Sequence, residues 1–107
     1  MATKVKQGDQ YQLPVTIWSN DDLVDPDDIA EVEIMLGDTR YLYPGSVTYD
    51  AATKQFLVPM TQEQTFAFEA GSLIEVDIRV KFTGGDIIGA RATRMLNIID
   101  ALSEEVL

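Results

Sequence analysis

The 107 residues include no cysteine and no histidine. Without cysteine there are no disulfides, no thiolate nucleophile and no cysteine-ligated zinc. Without histidine the chain lacks the side chain most used for proton transfer and metal ligation near neutral pH. Together these absences exclude most hydrolytic triads and most zinc or copper centres. Carboxylate chemistry and hard-cation binding survive. Basic side chains are also scarce, eight against 18 acids, for a net charge of −10. Ten of the acids fall in residues 1–50, where Lys4, Lys6 and Arg40 are the only cations. Such a field repels phosphate backbones, so no nucleic-acid partner is expected. Solubility is the plainer role for the charge, ahead of mimicry of a nucleic acid. No apolar run reaches membrane-spanning length, and MATKVKQGDQ has neither the apolar segment nor the cleavage site of a signal peptide. Synthesis in the cytosol without membrane insertion is the expectation.

What the chain does have is alternation. Ile74, Val76, Ile78, Val80 and Phe82 alternate with Glu75, Asp77, Arg79 and Lys81. A two-residue period is what a strand with one buried and one wet face requires. Gly84 and Gly85 then let the backbone reverse into a second extended run. With an apolar fraction of 46% over a length that suits one domain, this alternation predicts a single all-β unit over 1–107, an antiparallel β-sandwich.

Along the chain, residues 1–9 read as a polar lead ending at Gly8. A first strand runs from Tyr11 to Trp18 with Leu13, Val15 and Ile17 inward, and Pro14, which has no amide donor, suits an edge strand or a bulge. Asp25-Pro26-Asp27-Asp28 has the form of a helix start, with a capping aspartate and proline at the first position. A second strand, Ala30 to Leu36, is expected to turn Ala30, Val32, Ile34 and Leu36 inward. Short strands follow at Arg40–Tyr43, around Val47 and Tyr49, and at Gln55–Pro59, with a turn at Pro44-Gly45. Thr61-Gln62-Glu63-Gln64 carries the capping-box pattern, which predicts one helical turn crossing between sheets. In the last hairpin, a three-residue loop from Gly84 to Asp86 would set Phe82 opposite Ile88 and Val80 opposite Ala90. It would also place Arg79 opposite Arg91. Because Arg94 breaks the inward parity, a bulge is expected near Thr93 to Met95. The tail, 100–107, can form a short helix capped at Ser103 or earlier.

The densest polar constellation is the loop holding Asn20, Asp21, Asp22, Asp25, Asp27 and Asp28. Calcium takes six to eight hard oxygens, which makes Asp21, Asp22 and Asp25 candidate ligands. The spacing does not match the helix–loop–helix calcium pattern, and helix capping already accounts for Asp25 to Asp28. Glu31 with Glu33, and Glu75 with Asp77, share the outward faces of strands, as on any wet sheet. No carboxylate pair is placed for glycoside cleavage, so no enzymatic activity and no cofactor is expected. Trp18, the only tryptophan, and Tyr41 and Tyr43 beside the Pro44-Gly45 turn are the candidate partner-contact residues, offering aromatic area at the rim of a sheet.

Five segments taken in order carry a resemblance: GDQYQLPVTIW (8–18), DPDDIAEVEIMLG (25–37), TQEQTFAF (61–68), VDIRVKFTGGDIIG (76–89) and LSEEVL (102–107). The chain resembles small phage and prophage structural proteins, and in particular the N-terminal immunoglobulin-like domain of phage upper-baseplate proteins. That resemblance implies a β-sandwich made in the bacterial cytoplasm that docks onto other phage structural proteins of a tail or virion, in symmetric copies as a homo-oligomer. The sequence ends at Leu107, before the linker and receptor-binding-protein attachment regions of the larger baseplate proteins, so host recognition is not implied. No catalytic residue is carried over. The alternative expectation is a carbohydrate-binding module, calcium-assisted, using Trp18 or the tyrosines against sugar faces.

Overall fold

The ten-residue strand predicted from the alternation is the hub of the larger sheet in the computed structural model, which describes residues 2–19, 22–92, 95–99 and 101. In chain order the elements are β1 (Ala2–Lys6), β2 (Tyr11–Val15), β3 (Ile17–Ser19), β4 (Asp22–Leu23), a 3-10 turn (Pro26–Asp28), β5 (Ile29–Leu36) and β6 (Thr39–Tyr43). They continue with β7 (Thr48–Asp50), β8 (Gln55–Met60), α1 (Gln62–Ala67), β9 (Leu73–Phe82), β10 (Ile87–Ala92) and β11 (Met95–Ile99). On one edge β9 pairs with β5, and β6 pairs beyond it; on the other edge β9 pairs first with β10 and then with β11. β3 and β4 extend the sheet beyond β10, while β1 lies parallel to β11, the one parallel pair among the described residues. The second sheet is β2–β8–β7. Immunoglobulin-like sandwiches place their second, fourth and fifth strands (B, D and E) in one sheet and C, F and G in the other. Here β2, β7 and β8 occupy the first set of places, and β5, β9 and β10–β11 the second.

The core lies between the sheets because the inward parity of each strand is apolar. Leu13, Val15, Phe56, Val58 and Met60 of the small sheet and Val32, Ile34, Leu36, Ile78 and Val80 of the large one are buried in one cluster. Tyr43 and Tyr49 pack edge-on against Phe56, with ring centroids 5.1 and 4.9 Å away, the geometry that aromatic quadrupoles favour. Pro14 sits in β2, an edge strand, the kind of position expected of a residue without an amide donor.

Several expectations are corrected. Residues 1–9 are more than a lead: β1 buries Val5 completely and pairs with the last strand. One apolar side chain between two lysines gave no alternation to read. The run from Tyr11 to Trp18 is two strands, since the chain leaves the small sheet after Val15 and joins the large one at Ile17. In β5 a bulge at Ala30 leaves Ala30 exposed and brings Ile29 inward instead.

The last hairpin has a three-residue loop, but one position earlier than expected. The Gly85 amide donates to the Phe82 carbonyl and the Phe82 amide to the Asp86 carbonyl, each at 2.9 Å. Such a loop ends on a residue at positive φ, and Gly85, at +102°, supplies it where Asp86 would be strained. Val80 therefore faces Ile88 and Arg79 faces Gly89, which removes the Arg79–Arg91 juxtaposition. From Ala90 opposite Ile78 to Met95 opposite Glu75, the second arm advances five residues against three. The bulge expected near Thr93 to Met95 falls partly on 93–94, outside the described residues, as does the expected tail helix apart from Ala101.

Both local capping predictions hold. Asp25 accepts the Asp27 amide at 2.9 Å ahead of the 3-10 turn. Thr61 and Gln64 form the reciprocal capping box of α1.

Candidate functional site

The three aromatic residues singled out in the sequence do not share a surface. Tyr41 is buried, and its hydroxyl donates to Gln64 Oε1 of α1 at 2.5 Å. Burial pushes its pKa up to about 12. It is a core residue tying β6 to the crossover helix and cannot offer its ring to a partner. Tyr43 is half-buried, with its ring engaged by Phe56. Trp18, also half-buried, lies on β3 opposite Leu23 and Arg91. β5, β9 and β10 separate it from the strand that carries the tyrosines.

The calcium candidates are likewise not assembled. Asp21 lies outside the described residues. Asp22 is exposed on β4 and Asp25 is engaged as the turn's cap. Among the described residues no three acids are grouped closely enough to hold a metal ion.

Two other features stand out. The first is a cleft of about 510 Å³ between the segment that carries the 3-10 turn and the β7 end of the small sheet. Leu23, Val24, Asp25, Pro26 and Asp27 line it from the first segment, and Tyr49, Ala51 and Lys54 from the second. The Tyr49 pKa is raised, first by burial and then by the nearby charges of Asp25, Tyr43, Asp27 and Asp50. The site is thus an apolar and aromatic slot in a negative field. Its parts come from positions some 25 residues apart; the acid-rich loop and Tyr49, one of three tyrosines flanking the Pro44-Gly45 turn, were each visible in the sequence, but not their meeting.

The second is the open edge of β10. β3 covers that edge only at Arg91 and Ala92; among the described residues nothing pairs with Ile87 to Ala90 there. Ile87 is 63% exposed and Ile88 37%. Gly89 has open space where a Cβ would stand. This stretch has no charge, proline or bulge of the kind that usually protects an edge. The signal was legible: two consecutive isoleucines in an alternating strand cannot both face the core. On the outer face beside this edge, Glu33 accepts from Arg40 Nε and Arg79 Nη2, both at 2.6 Å. Those hydrogen bonds, Arg40 first, hold the Glu33 carboxyl below its usual pKa.

Comparison with known proteins returns no match to a family model, to a curated protein or to a solved structure. Among the described residues no helix is long and apolar enough to cross a membrane.

Proposed function

We propose that this chain is a non-enzymatic structural module of a phage or prophage particle, in its tail or baseplate, that works by protein–protein contact. The observation that carries the contact mechanism is the uncovered β10 edge, where exposed backbone groups and two exposed isoleucines suit the addition of a strand from another protein. The particle itself is supported by the resemblance of the five segments described above. Virion association follows from the same reading.

Mass spectrometry of density-purified particles from a strain encoding the chain tests this directly. The chain is expected to co-purify in stoichiometric amounts, and the Ile88→Lys variant to be depleted from particles while remaining folded by circular dichroism. Particles that lack the wild-type chain would overturn the reading. The rival, a carbohydrate-binding module, draws on the Tyr49 cleft and predicts sugar-specific signals on a glycan array.

A further inference from the structure

We infer that the Tyr49 cleft receives the arginine side chain of a partner protein, an inference that rests on reading the chain as a protein-contact module. The slot has the composition that a guanidinium selects. Its walls, Leu23, Pro26 and Tyr49, are apolar or aromatic, and Leu23 is 44% exposed for want of a cover. A guanidinium is planar and weakly hydrated, so it can lie against an aromatic ring while its edge donates to carboxylates. A lysine ammonium is compact and holds its water, and it matches such walls less well.

The acceptors are part of the lining. Asp25 spends Oδ1 on the turn cap and keeps Oδ2 for another donor. The Asp27 carboxylate has no hydrogen bond or ion pair among the described residues. Lys54 is the single cation of the lining, set against Asp25 and Asp27, with the Asp50 charge also acting on Tyr49. The chain as a whole carries the same sign, 18 acids against eight cations, which favours the approach of a cationic partner group. Charge complementarity is what commits the site to arginine over a neutral sugar or a second acidic copy of this chain.

The test uses the full chain labelled for heteronuclear NMR and the probe acetyl-Gly-Arg-Gly-amide, with the citrulline peptide as its uncharged isostere. Saturable shifts are expected at residues 23–27 and 49–54, with a Kd in the range of about 1–10 mM, as suits one contact. The citrulline peptide should bind at least about tenfold more weakly. Asp25→Asn keeps a good capping residue; combined with Asp27→Asn it should weaken binding by a similar factor with an unchanged fold. No saturable shift in the cleft, equal binding of the citrulline peptide, or shifts confined to other surfaces would overturn the inference. The doubly substituted chain also separates this failure from failure of the module reading. If it enters particles as the wild type does, the cleft assignment falls and the module stands; if the wild-type chain is absent from particles, the module reading falls.

Discussion

The two ends of β9 are built on opposite plans. At its start, the helix crossover is tied to the β1–β2 turn by side chains reaching across more than fifty residues. The buried Thr65 hydroxyl accepts the Gly8 amide at 2.9 Å and lies 2.9 Å from the Asp9 carbonyl and 3.1 Å from that of Gln62. Gln62 Nε2 donates to the Gly8 carbonyl, and Gln7 Nε2 to that of Phe68. At the other end, the β9–β10 hairpin has a bare loop, an uncovered edge and exposed isoleucines. Its backbone is held by the ladder and by the Thr83 amide donating to Asp28. The contrast teaches where specificity of fold and freedom for contact each reside. The tied end fixes how the chain enters the sandwich, and the loose end leaves polar backbone and apolar area for something else.

The sharpest way to break that contrast is to make the same change at both ends. Thr65→Val keeps shape but leaves the Gly8 amide, and whichever of the Asp9 and Gln62 carbonyls the single hydroxyl hydrogen serves, short of a partner, at a cost of about 2 kcal/mol. Thr83→Val, on the exposed loop, keeps its amide bond and should stay within about 0.5 kcal/mol. Urea denaturation of the pair checks this; equal costs would show that the knot around Thr65 adds nothing.

A glycine series grades the same comparison more finely. Gly8 sits at φ +91°, and an added Cβ would stand 2.8 Å from the Phe66 ring. Gly8→Ala therefore meets both backbone strain and a clash, costing about 2 kcal/mol. Gly85, at φ +102° in open space, incurs strain alone, about 1 kcal/mol on replacement by alanine. Gly84 has neither, and its alanine variant should be neutral within about 0.5 kcal/mol. Thermal melts that fail to follow this order would contradict the assigned loop geometry.

Much of the fold was legible because its signals are local. Period-two alternation marked β9, and four-residue patterns marked both caps, since each depends on residues within one turn or one strand. What escaped depends on distant partners. Val5 is a core residue only because the last strand lies beside it, and Ala30 turns outward only because β5 bulges against Lys81 and Phe82. Tyr41 and Tyr43 share a strand face and look alike in sequence, yet the helix covers one and leaves the other at the rim. The candidate surfaces were read least well. Aromatic count pointed at residues already engaged in packing, whereas the exposed area belongs to isoleucines and to a cleft assembled from separate segments.

The smallest effect concerns the outer face between the two ends, where Glu33 on β5 links Arg40 on β6 to Arg79 on β9. All three side chains meet solvent, so the network adds little to stability, and its signature is a dependence on pH. The folded-state pKa of Glu33 lies below its ordinary 4.5. A carboxyl with a depressed folded pKa contributes stability that is fully present above the unfolded pKa and is lost as pH falls through the folded value. The wild type should therefore exceed Glu33→Gln in stability above about pH 5, and the gap should close below pH 4.5. Raising the salt should narrow the gap at neutral pH as well, because exposed ion pairs are screened. A gap that persists unchanged into acid would mean that Glu33 acts through packing on the sheet face and not through its charge.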